Sequence, residues 1–236
     1  MLAITVVSSP FVLPPMLDFG ATFFAALSGA FVAVRRGYDI VGIFFIAALT
    51  ALGGAVLRDD IMLLCGPSVV ITEPNYLVIV LFATIAGVLL RSRLAKLGRI
   101  VSVADAVALA AYAMLGVTKA LAAGLPATGA ILTGVLNAVG GGILRDICAG
   151  EAPMIFRPGE FYALVAFLGT TLYTVLAPWE IMTVPQTAYL CLFIMLTLRL
   201  LTIAYHWRTK AFAALETEKN ISAQDTTQEG DAKTRH

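Results

Sequence analysis

A chain of 236 residues that is 59% hydrophobic and 13% charged, with a mean hydropathy of +0.89, lies outside the range of soluble domains. A net charge of +1 offers no basic patch for nucleic acid, and the three cysteines, Cys65, Cys148 and Cys191, have neither metal-ligand spacing nor an even count. The composition is that of an integral membrane protein, and because its apolar runs do not alternate with period two, an all-α one rather than a barrel.

The first residues, 1–16, read as a lead-in: "MLAITVVSSPFVLPP" lacks the basic start and cleavage site of a secretory signal, and Pro10, Pro14 and Pro15 interrupt any long helix. Apolar runs bounded by charge or proline then predict seven transmembrane helices, near 17–34, 40–65, 74–90, 102–123, 127–149, 160–177 and 184–205. They group into a first three-helix unit over 17–90, a basic loop over 91–103, a second unit over 104–177 and a seventh helix within 178–205. The polar stretch 206–236 cannot bury enough apolar surface to order itself and reads as a disordered tail. Cations gather in alternate loops: Arg35 and Arg36, then Arg91, Arg93, Lys96 and Arg99, then Arg157, then Arg208 and Lys210. Short cytoplasmic loops retain Lys and Arg, so the N terminus is expected outside and the C-terminal tail in the cytoplasm.

Sliding the sequence on itself by 87 residues aligns Asp18 with Asp105 (105 − 18 = 87), Gly29 with Gly116, Gly37 with Gly124, and Gly53-Gly54 with Gly140-Gly141. Leu57-Arg58-Asp59 falls on Leu144-Arg145-Asp146 in the same ungapped register, which marks an internal duplication. Each unit holds three spans, an odd number, so the second copy enters the membrane from the opposite face as an inverted repeat. In such architectures an ion or substrate path runs near the midplane between the repeats.

The glycine clusters Gly53-Gly54 and Gly140-Gly141-Gly142 lie near the centres of helices 2 and 5. Glycine costs ~1 kcal/mol relative to alanine inside a helix, so both helices are expected to kink there and to offer freed carbonyls to a cation, with Thr50 and Asn137 lining the path one turn earlier. Close helix packing is the competing explanation for each glycine taken singly. Arg58, Asp59, Arg145 and Asp146 follow the two clusters at membrane depth, where ionisable groups need partners. Neighbours in a helix do not face each other, so the expected pairs are Asp18 with Arg58 and Asp105 with Arg145, with the arginines as gate latches. Ser102 is a candidate N-cap for the helix carrying Asp105. Lys119 is expected to snorkel to the headgroups or to act as a pore-facing or voltage-sensing charge, and Arg199 to snorkel as an anchor.

The doubled motif "GGAVLRD" and "GGGILRD", set in three-helix repeats with a seventh helix, resembles the bacterial relatives of the trimeric intracellular cation (TRIC) channels, a family that also carries the label glycine transporter. The resemblance covers about residues 17–205. It implies a homotrimer in the bacterial inner membrane, in contact with membrane lipid, with one pore per protomer. Potassium is the expected transported ion, with sodium as a second candidate, and no cofactor is expected. The family's kinked glycine segments map onto Gly53, Gly54, Gly140, Gly141 and Gly142. The Lys-Glu-Val triplet of the animal channels is missing between spans three and four, where the sequence reads "LAKLGRIVSVADAV". A secondary transporter of glycine or another small solute is the alternative. With only His206 and His236 as histidines and no nucleophile-base spacing, the sequence does not read as an enzyme.

Overall fold

In the computed structural model the described residues are 12–64, 66–91, 94–156 and 161–205, without the side chains of 94–101 and 104. The tail, most of the lead-in, Cys65, Arg93, Arg157 and Glu160 lie outside them. The described elements are all helical: α1 (Pro15–Arg35), α2 (Ile40–Val56) continued by a π-helical segment (Leu57–Leu63), a four-residue α3 (Val69–Thr72), α4 (Pro74–Leu89), α5 (Leu94–Ala122), α6 (Ala127–Cys148), α7 (Tyr162–Leu176) and α8 (Val184–Ala204). Six of the helices are long and apolar enough to cross a membrane. The span expected at 74–90 is α4, whose 16 residues reach ~24 Å, short of the ~30 Å hydrocarbon core of a bilayer.

The 87-residue register reappears in the elements themselves. Ile40, the first residue of α2, falls on Ala127, the first residue of α6 (40 + 87 = 127). Both α1 and α5 end the same way. Gly37 and Gly124 adopt left-handed φ of 74° and 84°, and the amides of Tyr38 and Leu125 reach back to the carbonyls of Ala33 and Ala120. That ending closes the last helical turn with a glycine where a side chain would be strained. Asp39 then caps α2, accepting from the Gly42 amide at 2.8 Å. The end of α5 was legible; its start was not, since it begins at Leu94, so Ser102 lies inside the helix rather than at its N-cap.

The first unit packs α1 against α2 and α4, the second packs α6 and α7 against α5, and the units meet where α2 crosses α6 and α1 crosses α5. The seventh expected helix, α8, lies on α5 and α7. Fully buried positions are dominated by alanine, among them Ala26, Ala30, Ala33, Ala47, Ala83 and Ala113 at 0% exposure. Small side chains let helices approach closely, which is how helices associate where lipid removes the ordinary hydrophobic drive. Large apolar residues point outward instead, as Leu77, Leu81, Phe82 and Ile85 do on α4.

Candidate functional site

The site grows from the crossing of α2 and α6. A Cβ placed on Gly141 would fall well under 3.0 Å from the Thr50 carbonyl oxygen, and one on Gly54 equally close to the Asn137 carbonyl oxygen. These two contacts exchange under the 87-residue shift (54 + 87 = 141, 50 + 87 = 137). A second pair exchanges in the same way: Cβ atoms on Gly53 and Gly140 would meet Leu144 at 2.6 Å and Leu57 at 2.9 Å. Both pairs of contacts thus exchange partners under the repeat shift. The glycines therefore serve backbone-to-backbone approach. Through Gly140-Gly141-Gly142, where a kink is expected, α6 keeps its helical hydrogen bonding in one element from Ala127 to Cys148. In α2 helical order also continues through Gly53-Gly54, and the change comes afterwards, as the π-helical turn beginning at Leu57. Gly142 differs from its neighbours, since a Cβ there would meet only an Arg145 nitrogen at 3.8 Å.

Beside this crossing lies a cavity of about 350 Å³, walled by α1, α2, α5 and α6. Thr50, Gly54, Asn137, Gly141 and Gly142 line it, and Asp18, Arg58, Lys119 and Asp105 also border it. Gly53, Gly140, Asp59, Arg145 and Asp146 stand outside that lining. Thr50 Oγ donates to the Ile46 carbonyl at 2.6 Å and Asn137 Nδ2 donates to the Tyr112 carbonyl. With the Thr50 hydroxyl proton and one Asn137 amide proton committed to the backbone, Thr50 Oγ and Asn137 Oδ1 remain as acceptor oxygens, which suit a cation.

The charged pairs differ from expectation. Arg58 grips its own neighbour, Nε to Asp59 Oδ1 at 2.6 Å and Nη2 to Oδ2 at 2.8 Å. Lys119 Nζ joins the same Oδ1 at 2.7 Å, and Ser68 Oγ donates to Oδ2 at 2.8 Å. At the second motif Arg145 binds Asp146 Oδ1 at 2.8 Å and donates from Nη1 to Ser28 Oγ at 3.2 Å, while the Met154 amide donates to Asp146 Oδ2 at 2.9 Å. Arg58, Asp59, Arg145 and Asp146 are all buried, at 7%, 1%, 7% and 4% exposure. The expected ion pairs of Asp18 with Arg58 and Asp105 with Arg145 are thus replaced by pairs between adjacent residues. Adjacent Cβ atoms do diverge on a helix. The arginine stem is long enough to fold back regardless, and its planar fork matches a carboxylate.

Two further corrections concern single cations. Lys119 holds Asp59 instead of snorkelling. Arg199 is no headgroup anchor: it is 2% exposed, and its guanidinium carbon sits 4.9 Å from the centre of the Tyr162 ring. Asp18, freed of Arg58, accepts a hydrogen bond at Oδ2 from the Tyr76 hydroxyl. Asp105 is hydrogen-bonded to Tyr162 in turn, with Arg145 and Arg199 in electrostatic range. Beyond the Asp105 end a small pocket of about 10 Å³, room for roughly one water, lies among Asp105, Gly142, Arg145, Asp146 and Tyr162. Sequence reasoning missed the tyrosines, Ser68 and Ser28. Tyr76 and Tyr162 stand 86 apart (162 − 76 = 86), one residue out of the repeat register, so an ungapped alignment passes over them.

Comparison with known proteins gives the site its setting. A family model described as glycine transporter matches residues 15–92 and 102–178, two segments whose starts differ by 87 (102 − 15 = 87). The UPF0126 inner membrane protein YadS of Escherichia coli K12 is 32% identical over 203 residues, covering 84% of this chain and 95% of YadS. A UPF0126 membrane protein of Deinococcus radiodurans is 34% identical over 165 residues, covering 69% of this chain and 75% of the relative. Among solved structures, a TRIC cation channel aligns with a TM-score of 0.79 at 26% identity, covering 85% of this chain and 97% of that one. The TRIC trimeric intracellular cation channel orthologue from Rhodobacter sphaeroides aligns with a TM-score of 0.74 at 29% identity, covering 81% and 97%.

Proposed function

We propose, for a chain that belongs to the bacterial membrane-protein family of the TRIC cation channels, the family whose model is described as glycine transporter, that it conducts monovalent cations, potassium first and sodium second. The chain is not an enzyme. Each protomer carries its own pore, which runs through the cavity beside the α2–α6 crossing and past Thr50 and Asn137. The two three-helix units are inverted repeats about an axis through that crossing. The chain assembles as a homotrimer in the bacterial cytoplasmic membrane, with the N terminus outside and the tail inside.

The observation that carries this reading is the cavity itself. It is bordered by glycine-approached backbone and by two polar side chains, Thr50 and Asn137, that hold a proton on a backbone carbonyl and keep acceptor oxygens. A cation needs oxygen acceptors with their lone pairs free, and Arg58 and Lys119, which also border the cavity, are held by Asp59. The swapped contacts of Gly54 and Gly141 support the repeat axis. Arg58 and Arg145 act here as fixed clamps with Asp59 and Asp146, because each guanidinium already has its carboxylate.

Planar-bilayer recording of the purified protein in potassium chloride tests the proposal. Discrete single-channel currents, rising with concentration well past the millimolar range, are expected. Saturable, counterflow-competent glycine uptake without unitary currents would put the transporter reading in its place.

A further inference from the structure

The two carboxylates that border the cavity without an ion-paired neighbour are Asp18 and Asp105, and each meets a tyrosine that also borders the cavity. Tyr76 donates its hydroxyl to Asp18 Oδ2, and Tyr162 is hydrogen-bonded to Asp105. The aspartates are in exact repeat register (18 + 87 = 105), while the tyrosines come from the first turns of α4 and α7, the third helices of the two units. The same arrangement therefore stands twice in the lining of one cavity, built by different local sequence.

We propose that Tyr76 and Tyr162 are the bolts of the two ends: each phenol fills a mouth of the cavity and masks the carboxylate that would otherwise draw a cation into it. The proposal rests on the cation-channel reading above and deepens it by naming the residues that close the path. The clamp arginines are poor candidates for that task. Asp59 already receives three side-chain partners, Arg58, Lys119 and Ser68, so swinging Arg58 aside breaks a buried bidentate pair. A tyrosine that swings away breaks one hydrogen bond and moves a ring with only two side-chain torsions. At Asp18 it leaves behind a carboxylate without its hydroxyl partner, facing the cavity, and such a charge concentrates cations at a mouth, whereas Asp105 keeps Arg145 and Arg199 in electrostatic range.

The two bolts differ in how they are held. Arg199 of α8 lies 4.9 Å from the Tyr162 ring centre, a cation over an aromatic face, and clasps that ring from outside the repeat. Tyr76 packs edge-on against Phe19, with ring centres 5.3 Å apart. Tyr162 is accordingly the tighter bolt, and α8 is the element that makes it so.

Single-channel recording in symmetric low-salt potassium chloride distinguishes the outcomes, with wild type as the reference and size-exclusion elution matched to wild type as the folding check. In Tyr76→Phe the ratio of open to closed time should rise roughly tenfold, the factor for losing one hydrogen bond to a charged group. Asp18→Asn removes the same bond from the other side and should also lengthen openings, but with unitary conductance falling below that of Tyr76→Phe because the drawing charge has gone. The double variant should gate like either single variant. Arg199→Gln should bring the opening ratio of the Tyr162 end toward that of Tyr162→Phe. Should wild type conduct while both Tyr→Phe variants keep wild-type open times, or should Asp18→Asn and Tyr76→Phe share one conductance, the bolt assignment is overturned. Absence of any unitary current in wild type would instead remove the channel reading beneath it.

Discussion

Gly141 and Gly142 are adjacent, both helical and both beside the cavity, yet alanine should act in opposite directions at the two positions. At Gly141 the new methyl would collide with the Thr50 carbonyl oxygen, a backbone atom of α2 that no rotamer change can move. Carbon–oxygen contacts start at ~3.3 Å, so α2 and α6 must part by on the order of 1 Å along their closest approach. Overpacking of this kind costs ~1–3 kcal/mol. At Gly142 the methyl finds only an Arg145 nitrogen at 3.8 Å, ordinary contact, and the helix gains ~1 kcal/mol from replacing glycine. Thermal unfolding of detergent-solubilised protein should therefore place Gly141→Ala several degrees below wild type and Gly142→Ala at or above it. Gly54→Ala should resemble Gly141→Ala, because its methyl would strike the Asn137 carbonyl in the swapped contact. The double variant Gly54→Ala/Gly141→Ala should cost less than the sum, since one parting of the helices relieves both collisions. Equal melting temperatures for Gly141→Ala and Gly142→Ala would refute the close-approach account and return the glycines to a role in bending the helix.

Asp59→Asn should be among the most damaging single substitutions, on the order of 3–5 kcal/mol by thermal unfolding, because it leaves Arg58 and Lys119 facing a neutral group. Arg58→Gln should cost less, Asp59 retaining Lys119 and Ser68. A double-mutant cycle should find strong coupling between Arg58 and Asp59 and little between Arg58 and Asp18. Arg199→Met should loosen α8 and speed its release in limited proteolysis, and Arg199→Lys should not restore it, because an ammonium cannot stack on the Tyr162 ring as a guanidinium does. In a cysteine-free background, cysteine at Glu180 should react with a membrane-impermeant maleimide added to intact cells and cysteine at Arg36 should not; the reverse pattern would invert the proposed orientation.

The sequence made the helices and the duplication plain, because both depend on local or repeated signals: apolar runs of membrane length, and glycines and charges in one register. Of the residues it singled out, Thr50, Gly54, Asn137, Gly141 and Gly142 border one cavity, and Gly53 and Gly140 do not. What it could not supply was the direction of a long side chain. From spacing alone Arg58 is turned about 100° from Asp59 on a regular helix. Its stem nevertheless reaches back, and a π-helical turn alters the local geometry at that point. No residue in "VLRDDIML" announces the turn. The tyrosines escaped for a different reason: Tyr76 falls on Ala163 and Tyr162 on Asn75 in a register that Leu77 and Leu164 still keep, so the two sit at neighbouring rather than equivalent positions and an alignment does not pair them.

The same reasoning says where the two ends of the cavity can differ. The arginine–aspartate clamps are equivalent in the repeat, each an arginine holding the aspartate next to it. The cations added to them are not copies. Lys119 has Val32 as its counterpart in the first unit (119 − 87 = 32), and Arg199 sits on a helix that has no counterpart at all. Lys119 keeps 30% of its side chain exposed and carries a flexible ammonium, so it can leave Asp59 at modest cost when the local potential changes. Arg199 is 2% exposed and stacked, so it moves only with α8. Lys119 and Arg199 thus add a mobile charge at the Asp59 clamp and an anchored one over Tyr162, two differences that the repeat itself does not supply.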